Sequence, residues 1–342
     1  MRVLKKIRVL IVDDSAVFRE LLSREISADD VIEVVATACD AYDARDKIVQ
    51  YNPDVMLLDI EMPKMNGLDF LQKLLPQYPM RVIVTSAASN RVFDALNAGA
   101  LDYVPKPGSD TGTTMQSYIN EMIIKIKTAS IAKIQTAKTG SNVKTGHNIK
   151  ASSKNKIIAI GASTGGTEAI IEVLKSFSND IPGVVITQHM PPVFTNMYAQ
   201  RLNKILCLNV KEAQDGDVIK PGTVLIAPGD FQMTVKKIGS VYKVRCTKGE
   251  KVNGHCPSVD VLFQSIAKEL GANSIGIILT GMGCDGAKGL LDMKKSGART
   301  IGQGESSCVV YGMPKVAYNI GAVENQADLD EIGQLVYSFL ED

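Results

Sequence analysis

Between Glu121 and Glu168 the chain carries no acidic side chain. The centre of that gap, residues 128–156, is dominated by Lys, Ser, Thr, Gly and Asn and holds six basic groups against no acidic one. Such a stretch cannot bury enough apolar surface to offset the entropy of ordering it, so it predicts a solvated tether. No single core can run through that break. The 342 residues must divide into a unit at 1–127, a flexible linker at 128–154 and a unit at 155–342, each unit long enough to bury a core.

Composition then removes several classes of function. Thirty-eight Lys and Arg stand against 37 Asp and Glu, which argues against binding a polyanion through bulk charge. Residues 157–342 carry 17 basic against 19 acidic groups and no recognition helix, so no nucleic-acid partner is expected. No apolar run nears the eighteen or so residues that cross a membrane. The opening MRVLKKIRVLIVDD sets basic residues before an apolar stretch, but Asp13 and Asp14 end it too early for a secretory signal. Six cysteines without a CxxC pair read as reduced thiols. A soluble, cytoplasmic monomer is the expectation.

Each unit alternates strand and helix. Short apolar runs at 7–12, 32–38, 55–58, 81–85 and 102–104 alternate with amphipathic stretches in the first. Runs at 157–160, 184–187, 224–227, 274–279 and 299–302 do the same in the second. Buried strands between helices predict two doubly wound, parallel α/β sheets. In such sheets chemistry collects beyond the carboxyl ends of the strands.

In the first unit those ends carry Asp13 and Asp14, Asp59, Thr85 and Ser86, and Lys106 just before Pro107. Singly, each is a helix cap or a strand end; together they place three carboxylates, a hydroxyl and an ammonium in one crevice. Close carboxylates repel unless a hard divalent cation neutralises them, and oxygen ligands suit Mg²⁺. A carboxylate beside that cation and a lysine can take up a phosphoryl group as an acyl phosphate.

The runs IVDDS, LLDIEMPKMNGLDFL, VTSA and DYVPKP resemble a response-regulator receiver domain. The resemblance implies a flavodoxin-like fold with Asp59 as phosphoacceptor. It implies Mg²⁺ held by Asp14, Asp59 and the carbonyl of Glu61, with Asp13 acting through water. Thr85 and Lys106 would contact the phosphoryl group, and Tyr103 would change rotamer with Thr85. The donor would be a chemotaxis histidine kinase.

In the second unit, IIAIGASTGGTEAIIEVL reads as strand, glycine turn and helix. Ser163 lies in Gly161-Ala-Ser-Thr-Gly165, the GxSxG spacing that lifts a serine hydroxyl onto a sharp elbow, although a glycine turn without nucleophile fits equally. Gly165 and Gly166 open the helix and bring its positive end near that hydroxyl. A serine needs a base, and the chain has three histidines. His147 falls in the tether; the strand-end position of His189 favours it over His255. Asp285, after the strand SIGIILT, supplies a carboxylate to orient the base. The order Ser, His, Asp is not that of the common α/β-hydrolases. Gly281 to Gly286 also spells GxGxxG, with Glu305 further on, which leaves a dinucleotide-binding oxidoreductase open.

The runs GASTGG, QHMP, APGD, HCPSVDVLF, ILTGMGCDGAKGL and SCVVYGMPK resemble the catalytic domain of the chemotaxis protein-glutamate methylesterase family. That resemblance implies a Rossmann-like domain with Ser163 as nucleophile, His189 as base and Asp285 as its orienter. Met282, Thr164 and Gly165 would line the oxyanion site, and no cofactor is implied in this unit. Cys284 departs from the family pattern. The implied reaction removes methyl groups from glutamate esters of methylated chemoreceptors and deamidates receptor glutamines. The resting receiver would cover the approach to Ser163 until Asp59 is phosphorylated.

Overall fold

The computed structural model describes residues 5–87, 91–108, 114–134, 149–150, 153 and 155–341. Two compact units divide the chain, Met1–Lys138 and Thr139–Asp342. Most of the expected linker, and His147 with it, lies outside the described residues.

The first unit runs β1 (Ile7–Val12), α1 (Ala16–Ser27), β2 (Ile32–Ala38), α2 (Ala41–Tyr51), β3 (Val55–Asp59), α3 (Gly67–Leu74), β4 (Arg81–Ser86), α4 (Val92–Asn97), β5 (Asp102–Pro105) and α5 (Met115–Ile131). Its five strands pair in parallel in the order β2-β1-β3-β4-β5. Local signals start the helices: Ser15, Asp40 and Thr114 each accept a first-turn amide through the side chain. Every residue of β3 is buried, as a central strand covered on both faces requires.

The end of α5 corrects the expected linker boundary. Tyr118, Ile119, Met122, Ile126 and Ala129 form a helical stripe packed on Val9, Ile11, Val55 and Leu57. Thr128 is buried because its hydroxyl donates to the carbonyl of Ile124, and Ala132 is buried too. Core packing outweighs the polar composition here, so residues 128–131 belong to the helix.

The second unit runs β6 (Ile157–Ala162), α6 (Gly166–Lys175), β7 (Gly183–Gln188), α7 (Phe194–Ile205), β8 (Asn209–Glu212), β9 (Thr223–Ile226), β10 (Phe231–Ile238), β11 (Val241–Lys248), α8 (Val259–Glu269), β12 (Ser274–Ile278), α9 (Ala287–Lys295), β13 (Arg299–Gln303), α10 (Met313–Asn319), β14 (Asn325–Ala327) and α11 (Ile332–Glu341). Seven strands pair in parallel in the order β14-β13-β12-β6-β7-β9-β8. The chain leaves β6 toward β7 on one side and returns to β12 on the other. That makes the carboxyl end of β6 the topological switch point.

One addition departs from a purely parallel design. Strands β10 and β11 form a separate antiparallel hairpin. Its Met233, Val235 and Val244 share a buried core with Val259, Leu262, Phe263 and Ile266 of α8. Truncating so buried a ring as Phe263 to Ala costs about 3–5 kcal/mol, which anchors α8 and the loop before it. Among the described residues no helix is long and apolar enough to cross a membrane.

Candidate active site

Ser163 follows the last residue of β6 and His189 the last residue of β7; those last residues, Ala162 and Gln188, pair across the sheet. Asp285 comes from the turn after β12, the other neighbour of β6. Three adjacent strands therefore bring the expected trio to the same edge of the sheet.

Nε2 of His189 lies 2.8 Å from Oδ2 of Asp285, both side chains being more than nine-tenths buried. Four further donors hold that carboxylate. Asn253 Nδ2 donates to Oδ1 at 2.8 Å, Ser258 Oγ to Oδ1 at 2.7 Å, the Val259 amide to Oδ2 at 2.7 Å and the Asp260 amide to Oδ1 at 3.2 Å. Burial alone would raise this carboxyl, but His189, Asn253 and Ser258 outweigh it and hold Asp285 well below the usual carboxylate range. Facing an ionised acceptor, Nε2 is assigned the ring proton. Nδ1 is then the basic nitrogen; it is buried and has no hydrogen-bond partner among the described residues. The roles of the two nitrogens are exchanged relative to the Ser-His-Asp template, where the carboxylate takes Nδ1.

The serine turn is built by close backbone approach. The Ser163 amide donates to the carbonyl of Thr280 at 3.0 Å, and the Thr280 hydroxyl donates to the carbonyl of Thr164 at 3.0 Å. Gly165 has φ +76°, and a Cβ there would sit 2.6 Å from Cβ of Val309. A Cβ on Gly281 would sit 2.6 Å from Cβ of Ser163. The Gly281 to Gly286 turn thus backs the serine and delivers Asp285, which accounts for its glycines without a dinucleotide. The amide of Gly166, expected near the oxyanion, instead donates to the Ser163 carbonyl at 2.7 Å and closes the turn into α6. The Gly165 and Met282 amides carry no such bond among the described residues, and Met282 is 44% exposed.

The first unit presents its own cluster. Asp13, Asp14 and Asp59 place carboxylate oxygens within 4.8 Å of one another, with Asp14 exposed and the other two buried. Nζ of Lys106 lies 2.6 Å from Asp59 Oδ2 and 2.7 Å from Asp13 Oδ2. Burial raises the Asp59 carboxyl, and Lys106 with the Glu61 amide offsets this only in part. Burial disfavours the charged form of Lys106, but its two carboxylates prevail and raise its pKa. Thr85 pairs with Asp59 across β4 and β3 and is buried. Glu61 donates its amide to Asp59 Oδ1 at 3.1 Å. Tyr103 is 4% exposed, its side chain packed inside the unit.

The CheB methylesterase family matches residues 158–336, and the response regulator receiver domain family matches residues 9–118. A protein-glutamate methylesterase/protein-glutamine glutaminase of Syntrophomonas wolfei is 57% identical, with 98% of each chain covered. The chain belongs to the CheB methylesterase family. A protein of the same designation from Salmonella typhi is 47% identical over 97% of this chain and 96% of its own. The solved CheB methylesterase catalytic domain of Thermotoga maritima aligns with a TM-score of 0.53 and 36% identity, covering 54% of this chain and 98% of that one.

Sequence reasoning missed two residues that hold Asp285, Asn253 and Ser258. Ser258 stands at the start of α8, where a cap is expected, but its hydroxyl serves Asp285 instead. Asn253 has left-handed backbone, φ 52°, in a loop without periodicity, and no local signal marks it.

Proposed function

We propose that Ser163, His189 and Asp285 carry the reaction of this CheB-family enzyme, a protein-glutamate methylesterase and protein-glutamine glutaminase regulated by its receiver domain. The observation that carries the assignment is the His189–Asp285 pair, which leaves Nδ1 as the basic nitrogen just past the end of β7, the strand that pairs with β6 before Ser163. Ser163 Oγ attacks the carbonyl carbon of a chemoreceptor glutamate γ-methyl ester, and Nδ1 takes its proton. The tetrahedral oxyanion collapses, methanol leaves with that proton, and a glutamyl-serine ester remains. Water then attacks with Nδ1 as base, releasing glutamate and restoring the serine. A glutamine amide follows the same path with ammonia as leaving group.

Asp285 stays ionised throughout and holds Nε2–H. The Gly165 and Met282 amides face the oxyanion, with Thr164 flanking the nucleophile; such preorganised donors supply a large part of the barrier reduction. Methanol release from methylated receptor membranes tests the assignment, and Ser163→Ala retaining near-normal release sinks it.

In the receiver, Asp59 accepts the phosphoryl group from a chemotaxis histidine kinase. The clustered carboxylates and the buried, imperfectly aligned contact of Asp13 Oδ2 with Lys106 fit a hard cation. Asp14, Asp59 and the Glu61 carbonyl would hold Mg²⁺, with Asp13 acting through water, and the ion would supply charge neutralisation for phosphoryl transfer. Lys106 and Thr85 then engage the phosphoryl oxygens, and Tyr103 changes rotamer with Thr85. The receiver extends through Ala132, and the catalytic domain occupies 155–342.

A further inference from the structure

The ring of His189 is not held by Asp285 alone. The ring of His255 lies flat against it, with centroids 3.6 Å apart and planes 8° from parallel. His255 belongs to the loop 249–258 between β11 and α8, and that loop is tied down at several points. Val252 and His255 exchange backbone hydrogen bonds of 2.9 Å each. The carbonyl of His255 accepts from Gln232 Nε2 at 3.3 Å, and Oε1 of the same Gln232 accepts the Ser258 amide at 2.9 Å. Asn253 spans the carboxylates of Asp285 and Asp260, 2.8 Å from each, and Asp260 is fixed in turn by the Gly289 amide at 2.7 Å. One loop therefore grips the orienting carboxylate and also supplies the face on which the base rests.

Geometry gives that face a purpose. A single hydrogen bond at Nε2 fixes one corner of an imidazole, and the ring can still tilt about the line to Asp285. Such a tilt displaces Nδ1, which must meet Ser163 Oγ. A second aromatic plane in parallel contact blocks it. We propose that His255 is a positioning residue for the base: its stacked ring keeps Nδ1 of His189 in line with Ser163 through both proton transfers. The inference deepens the catalytic reading and rests on it. His255 needs no proton chemistry for this role, only a flat ring.

The test uses the full chain with His255→Ala, His255→Phe and Ser163→Ala in parallel. Turnover is read as methanol release from methylated receptor membranes. His255→Ala should lower kcat about 10- to 100-fold with KM unchanged, the scale of loss from misplacing a catalytic group, and His255→Phe should restore most of it. With only three histidines in the chain, imidazole proton resonances are readily assigned by substitution. Those of His189 should be ring-current shielded in wild type and His255→Phe, and unshielded in His255→Ala. Unshielded His189 protons in the wild type overturn the proposal without recourse to any variant. So does a kcat in His255→Ala equal to wild type, or a His255→Phe as slow as His255→Ala. Full turnover in Ser163→Ala instead overturns the catalytic reading, and leaves the shielding result standing by itself.

Discussion

Asp59 and Asp285 occupy equivalent places, each at the carboxyl end of a central parallel strand and each almost fully buried. Their electrostatics are opposite. Asp285 receives five donors, three from fixed elements of the α8 start, and its carboxyl is held well below the usual range. Among the described residues Asp59 receives the ammonium of Lys106, shared with Asp13, and one amide, and burial keeps its carboxyl raised. An orienting carboxylate must stay charged and still, so it is saturated with rigid dipoles. A carboxylate that must itself react is left under-solvated, with partners that can turn to the incoming group. Fold location selects the site; the donor count selects the role.

The largest effect expected on this contrast is catalytic. Ser163→Ala should lower methanol release by roughly 10⁴- to 10⁶-fold, with His189→Ala adding little, because the trio acts as a unit. The same variants should take up phosphoryl label on the receiver normally. Loss of labelling would mean that the two sites are not chemically separate.

Next comes stability. Asp285→Asn strands donors around a buried acceptor and should cost about 2–3 kcal/mol at neutral pH, read by denaturant unfolding. The sign follows from the lowered carboxyl: its contribution is complete above about pH 4 and is lost as pH falls toward the folded value. The gap between wild type and Asp285→Asn should therefore narrow in acid. A gap constant across that window would refute saturation as its source.

Removing the receiver should raise basal esterase activity, by roughly 10-fold for a population shift worth about 1.4 kcal/mol. A chain beginning at Lys150 is compared with the full-length protein, with and without a small phosphodonor. If the fragment is no faster than the unphosphorylated full chain, phosphorylation must activate by positive contact.

The smallest effect is also the most discriminating. Because the Asp59 carboxyl is raised, its charge destabilises the folded receiver above the folded pKa. Asp59→Asn should thus stabilise the receiver by about 1 kcal/mol at neutral pH, a few degrees in Tm, while abolishing phosphoryl labelling. A fall in Tm would show that the Lys106 contact outweighs burial, contrary to the contrast drawn between the two aspartates.

Much of this arrangement was legible in the sequence because topology converts strand ends into neighbours. Ser163, His189 and Asp285 were readable as residues after apolar runs, and the parallel sheet did the rest. The hairpin β10–β11 left a fainter trace: Met233, Val235, Tyr242 and Val244 alternate around Gly239 and Ser240, but lysines interrupt the pattern. The tail of α5 was misassigned because Thr128 and Ala129 look like linker until a hydroxyl bond and a core contact are seen. His255 was legible only as an alternative base and Asn253 not at all, since stacking on His189 depends on a loop meeting a strand end 66 residues earlier, and the Asn253 bond to Asp285 on a turn 32 residues later.

The span between partners also sets an order of events during folding. His189 and Asp285 are 96 residues apart, Thr280 and Thr164 are 116 apart, and Lys156 reaches Phe339 across 183. The receiver's site closes shorter spans, 47 residues from Lys106 to Asp59 and 93 from Lys106 to Asp13. Distant pairings in parallel sheets form slowly, because loop closure precedes any gain from contact. After dilution from denaturant, phosphoryl uptake should therefore return before esterase turnover, and a nascent chain should acquire its regulator before it acquires anything to regulate.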